Sequence, residues 1–140
     1  MEKGFIDIED YYTEKNEREG MWYEPVFEDK GCGIELLLIG IHSEEAIKKM
    51  TEYDEKSEKI QNSKLSDDEK KEKLDELDAE RVAVLTKGIR AKDGSQLMRN
   101  GKPYEFSLET IKELYLNNPD LKIACVDFVL KSSNFMKIKA

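Results

Sequence analysis

Apolar residues along this chain keep a strand-like spacing early, a helical spacing later, and almost vanish in between. Met21 to Phe27 (MWYEPVF) and Ile34 to Ile41 (IELLLIGI) are short apolar runs separated by Glu28-Asp29-Lys30-Gly31-Cys32-Gly33. That pattern predicts an N-terminal β-hairpin over about residues 21–41, with Pro25 marking an edge or a bulge. A continuous apolar strand needs cover on both faces, and two strands are not stable alone. Helices or a second subunit must therefore pack on it.

After Ser43 the spacing becomes helical. Ser43 is a candidate N-cap, Glu44 and Glu45 suit the positive end of a helix dipole, and Ala46, Ile47, Met50 and Tyr53 form a stripe. Beyond Tyr53 the side chains are nearly all polar until Ile60. Ser66-Asp67-Asp68-Glu69 then reads as a capping box opening a second helix. Its stripe is Leu74, Leu77, Arg81 or Val82, Leu85 and Ile89, which gives a charged helical hairpin at about residues 44–90. Residues 52–72 have the weakest claim on a core. A solvated hairpin projecting from the domain explains them better than a partner-seeking coiled coil, since the leucines do not sustain three or four heptads. A loose stretch at Gln61-Asn62-Ser63 is compatible with both.

Gly88 and Gly94 punctuate the end of that helix, and Asn100-Gly101 signals a short hairpin between residues 96–99 and 102–106. Ser107 is the next N-cap, with Phe106 and Ile111 spaced for a hydrophobic staple. Leu108, Ile111, Leu114 and Tyr115 line that helix. Asn118-Pro119 stops it and starts another, with Asn as cap and Pro at the first helical position. Leu121, Ala124, Cys125, Phe128 and Val129 line the last helix, and Phe135 closes the packing. The expected fold is α+β, mainly α: the hairpin packed on a helical domain of four to five helices. Residues 1–20 form an irregular acidic segment, mobile unless docked; residues 21–136 form a single domain; residues 137–140 form a short frayed tail.

Charge narrows the function classes. Of 140 residues, 39% are charged and 39% hydrophobic, so one domain with an economical core is expected. The net charge of −8 is uneven: residues 1–30 carry ten acids and four bases, residues 91–140 six and eight. The balance argues against sequence-independent nucleic-acid binding, which needs a basic face. It permits head-to-tail self-association. Cys32 and Cys125 lie far apart, and reduced thiols of a cytosolic protein fit them better than a disulfide. With His42 as the single histidine and no cysteine pair at ligand spacing, no metal is expected. The start, MEKGFIDIEDYY, has no signal-peptide pattern, and no apolar run is long enough to span a bilayer. A soluble cytoplasmic protein is expected.

Chemistry is sparse. Gly31-Cys32-Gly33 lacks the Lys-Ser/Thr pair of a phosphate loop. His42 beside Ser43 has the residue types of a base and a nucleophile, but a helix cap with a neighbouring histidine explains both. Asp67-Asp68 and Glu44-Glu45 sit in first helical turns, where the dipole accounts for them. Trp22, Tyr23 and Phe27 fit a core better than a stacking site, and Cys125 fits a small core residue. No catalytic or cofactor-binding residue is assigned, no cofactor is expected, and no individual partner-binding residue can be named.

The order of these elements resembles the tail assembly chaperones of long-tailed bacteriophages and prophages. The residues that carry it are the strand ending in Gly40-Ile41-His42-Ser43, the Val84 to Ile89 segment, and the turn Asn100-Gly101-Lys102-Pro103. Phe106-Ser107-Leu108-Glu109-Thr110 and Asn118-Pro119-Asp120-Leu121 complete it, over about residues 20–136. The resemblance implies a non-enzymatic chaperone in the bacterial host cytoplasm. It would bind the tape-measure protein, keep it soluble and help recruit tail-tube subunits, with homo-oligomers as a further expectation. Two other readings compete. A small acidic inhibitor or DNA mimic would need nearly unbroken negative charge, whereas lysines from Lys48 to Lys73 interrupt it here. A structural tail subunit would call for more sheet. The apolar surface candidates are the edge of the first hairpin and the seam between the last two helices.

Overall fold

The computed structural model describes residues 4–137. Among them are five α-helices and seven short strands, an α+β, mainly α fold. In chain order these are α1 (Thr13–Glu19), β1 (Met21–Tyr23), β2 (Val26–Phe27), β3 (Lys30–Gly31), β4 (Ile34–Leu38), α2 (Glu44–Gln61) and α3 (Asp67–Val84). There follow β5 (Thr86–Ala91), β6 (Met98–Arg99), β7 (Lys102–Pro103), α4 (Leu108–Asn117) and α5 (Pro119–Val129). Of the expected tail, residues 138–140 lie outside the described residues, as do residues 1–3 of the N-terminal segment.

The expected hairpin is more divided than its apolar pattern suggests. Buried Pro25 cannot donate to a ladder, and the first strand splits there. β1 pairs antiparallel with β4, while β2 and β3 form a separate two-stranded hairpin closed by Glu28 and Asp29, both at positive φ. The central sheet has a third strand, in the order β1-β4-β5. This corrects the long helix expected to run to Ile89: α3 ends at Val84, and the chain turns directly into β5. There Ile89 faces Leu36 across the ladder, and a register shift falls between Leu37 and Leu38. Three-residue spacing from Val82 to Leu85 and four more to Ile89 imitates a helix stripe. Pairing with β4, a tertiary effect, decides the outcome.

Burial alternates along β4. Leu36 and Leu38 are fully buried against the helices, whereas Leu37 faces outward. Cover on the outer face comes from Trp22, which lies over Gly88; a Cβ there would sit 3.1 Å from the indole ring. Arg90 stacks on that ring, 3.9 Å from its centroid, and is tied to Glu35 at 2.9 Å. The expected double cover is thus met by helices on one side and by one aromatic ring and a guanidinium on the other.

The core gathers Leu36, Leu38 and Ile39 from the sheet with Ala79, Val82 and Ala83 of α3, Ile111 and Tyr115 of α4, and Cys125 and Val129 of α5. Helix α3 packs against α4, and α2 lies along α3, so α2 is the outermost layer. Of the expected α2 stripe, Ala46 and Tyr53 are buried and Ile47 is exposed. Phe135 is fully buried, with its ring tilted 5.2 Å from Phe128, which stacks on Tyr23 at 4.3 Å.

The N-terminal segment docks. A 3-10 turn, Ile8–Tyr11, leads into α1, and Asn16 and Glu17 are buried. Asn16 Nδ2 donates to the carbonyls of Asp10 and Phe135, and the Lys137 amide donates to Asp10. Helix α1 has no apolar side chain, so polar contacts clasp both flanks of the domain together.

Candidate functional site

The starts of α2, α3 and α4 are secured by the serines expected. Ser43 Oγ accepts from the Ala46 amide, and Ser66 Oγ from the Glu69 amide. Ser107 forms a reciprocal capping box with Thr110. Ser66 makes only half of its expected box, because its hydroxyl donates to the Glu69 carboxylate. Two expectations change at the α4–α5 junction. Phe106 stays 46% exposed while Ile111 is buried, so the two do not make a buried staple. Asn118 does not cap α5 with its side chain; its Nδ2 donates to the Leu114 carbonyl and closes α4 instead.

These caps set α4 and α5 against two tiny hairpins. On one side β6–β7 turns at Asn100-Gly101, both residues at positive φ, as the sequence predicts. On the other side stands β2–β3. Between them runs an open groove floored by Ile34, Ile89 and Leu114. Its inner part, beside Leu97, Met98 and Tyr104, is a cavity of about 280 Å³. Its outer part passes Val26 and Phe27 to the α4–α5 junction at Asn118 and Leu121. The two surfaces named from sequence, hairpin edge and helix seam, therefore meet in one place. Sequence reasoning missed the β6–β7 wall, although Leu97 and Met98 before the Asn-Gly turn were the available signal.

Two polar features frame the groove. Glu24 braces the β2–β3 wall: its carboxylate takes a bond from Lys92 at 2.9 Å and from the Gly33 amide at 3.0 Å. The Lys92 bond holds the Glu24 carboxyl below its ordinary value, and the same bond raises Lys92. Tyr104 Oη is buried without a partner, the one such side-chain atom among the described residues, and its ring lines the inner cavity.

Beneath the groove Tyr115 Oη lies 2.8 Å from Thr86 Oγ1 and 3.6 Å from Cys125 Sγ. Thr86 already donates to the Val82 carbonyl, so Tyr115 donates to Thr86. Burial raises Tyr115 well above the usual phenol range and pushes the Cys125 thiol up to about 11. A protonated, enclosed thiol is inert packing. Cys32 is the exposed cysteine, at the groove's outer edge, and both thiols are free.

The remaining chemical candidates resolve into structure. Ser43 Oγ donates to the Gly40 carbonyl and does not engage the ring of His42. His42 instead meets two residues distant in sequence: Nδ1 lies 3.3 Å from Glu17 Oε1 and 3.1 Å from Ser132 Oγ. Serine, histidine and glutamate are the types of a hydrolytic triad, but Ser132 also donates to the same Glu17 oxygen. A proton relay uses the two different ring nitrogens, and here both partners share one. The group is a buried-carboxylate anchor for α1. Gly40 permits it, since a Cβ there would collide with the Glu17 side chain. Asp67-Asp68 and Glu44-Glu45 lie in first helical turns, exposed. Among the described residues, no group of three His, Cys, Asp or Glu side chains could hold a metal, and no helix is long and apolar enough to cross a membrane.

Compared with protein-family models, curated proteins and solved structures, the chain matches none.

Proposed function

We propose that this protein is a non-enzymatic tail assembly chaperone of a bacteriophage or prophage, acting in the bacterial host cytoplasm. It binds the tape-measure protein, keeps it soluble and helps recruit tail-tube subunits. The observation that carries this reading is the groove between the two small hairpins and α4–α5, where apolar side chains converge with no catalytic constellation among them. A long helical partner presents repeated apolar stripes, and an open groove with an apolar lining takes one such stripe at a time. Exposed Val26 and Met98 on its walls widen the contact.

The α2–α3 surface gives little support to an acidic mimic. Lys87–Glu45, Arg81–Asp54 and Lys122–Asp78 pair at 2.7–2.9 Å, so its carboxylates are offset by neighbouring cations. Co-expression with a phage tape-measure protein is the test. The expected result is a soluble complex that Val26→Glu weakens. A partner that stays insoluble, with no complex at low or moderate salt, overturns the reading.

A further inference from the structure

The outer part of the groove combines an apolar floor with polar side chains that present acceptors rather than donors. Glu28, in the β2–β3 turn, and Asp120, in the first turn of α5, line it from opposite walls. Both are exposed, and no ion pair holds either among the described residues. Asn117 and Asn118 turn their amide nitrogens back onto α4, to the Glu113 carbonyl at 2.8 Å and the Leu114 carbonyl at 2.9 Å. Their free ends are therefore oxygens. Cys32 Sγ likewise gives its proton to the Ile34 carbonyl. Two helix ends of opposite sign meet at this junction, α4 closing and α5 opening, and their dipoles offset each other. The side chains thus set the sign of the outer groove, and it is negative.

The inner part differs. Among the described residues Arg99 is the one cation of the whole lining, and it is spent on Glu113 at 2.7 Å. Lys30 and Lys102 sit on the two hairpins but line neither part. With that pair closed, the cavity of about 280 Å³ beside Leu97 and Met98 is neutral and apolar. Roughly 150 Å³ is enough for a benzene ring, so one large side chain fits inside.

We propose that the segment bound in this groove is an amphipathic helix with a basic flank. It buries a large apolar side chain in the inner cavity and sets a lysine or arginine between Glu28 and Asp120. The inference rests on the groove being the partner's docking site, and it adds the partner's chemistry. Lysine and arginine carry donors and no acceptor, matching a wall of oxygens, and their aliphatic stems can lie along Phe27 and Leu121. Spacing follows from α4, along which both parts lie. From Thr110, in the inner lining, to Asn117, shared by both, α4 rises about 10 Å. In a helical partner the cation accordingly falls one to two turns from its apolar anchor.

The test is calorimetric titration of the full chain with three synthetic helical peptides. They share one apolar stripe and differ only in the flanking residue: lysine, glutamine or glutamate. The lysine peptide is expected to bind about fivefold tighter than the glutamine peptide, and the glutamate peptide weakest, with the differences narrowing as salt rises. Glu28→Gln with Asp120→Asn should bring the lysine and glutamine peptides within about twofold of each other. Glu55→Gln with Glu58→Gln, the same loss of charge on exposed α2 positions outside the groove, should keep the preference. A lysine peptide no tighter than glutamine, a preference that survives the groove variant, or one that the α2 variant also removes overturns the proposal. If no peptide binds, the groove falls as a docking site and the proposal with it. A lysine preference lost in the groove variant, in a chain that fails to keep a tape-measure protein soluble, sinks the chaperone reading alone. A soluble tape-measure complex that forms equally well with the groove variant sinks this inference alone.

Discussion

The α2–α3 hairpin and the groove wall are both solvent-facing, yet they meet water on opposite terms. The hairpin surrounds a thin apolar seam, including Tyr53 and Leu77, with paired charges such as Arg81–Asp54 and Lys49–Glu52. The groove leaves Val26, Phe27 and Met98 open and sets them beside the core residues of β4, α4 and α5. A solvated face can be changed with little consequence. An apolar face kept open over a rigid base is a surface with an occupant to meet.

Breaking the base should produce the largest effect. Tyr115→Ala removes a fully buried ring and the bond that Thr86 Oγ1 accepts from it, so a loss of about 3–5 kcal/mol is expected in urea unfolding. A loss below about 1 kcal/mol would mean that the groove has no rigid floor. The two groove walls provide an internal contrast. β6–β7 turns on Asn-Gly, whereas β2–β3 holds Glu28 at φ 51° and Asp29 at φ 64°. Glu28→Gly should therefore stabilise by about 1 kcal/mol, read as a higher urea midpoint. An unchanged or lower midpoint would show that the wall is not strained. On the hairpin, Arg81→Ala should cost no more than about 1 kcal/mol, because Asp54 is well exposed and screened. A larger loss would make α2–α3 part of the structural base.

The smallest effect is the one shaped by pH. Glu24 is held below its ordinary value of 4.5, so its contribution is complete above that pH and fades as pH falls through the lowered value. Lys92 is raised above 10.5, so its share is complete below that pH and lost as pH rises through the raised value. The difference in urea midpoint between the parent and Glu24→Gln should be flat between those limits and shrink on the acid side. A difference that grows toward acid pH would remove Glu24–Lys92 as the brace of the β2–β3 wall.

Local chemistry was legible in the sequence. Ser43, Ser66 and Ser107 cap because a hydroxyl three residues ahead of an amide needs no tertiary help, and Asn100-Gly101 turns because those residues accept positive φ. What was lost depended on distant partners. Thr86 to Ala91 has little strand character of its own and becomes β5 by pairing with β4. Asn118 had two backbone groups within reach and took the Leu114 carbonyl behind it. Helix α1 was invisible to a search for apolar periodicity, since Asn16 and Glu17 are what it buries. The groove fell between these cases: both of its surfaces were visible, and their meeting was not.

The Asn16 clasp carries a consequence for how the chain is made. Its bond to the Phe135 carbonyl spans 119 residues. At roughly 5–20 residues per second, a ribosome needs on the order of ten seconds to deliver that acceptor after Asn16 has emerged. During that interval α1 lacks its Phe135 acceptor, and the Asn16 side chain waits harmlessly in water. Closure of the clasp thus reports that synthesis has passed Phe135, and a chain truncated before that point should keep its first twenty residues open to protease.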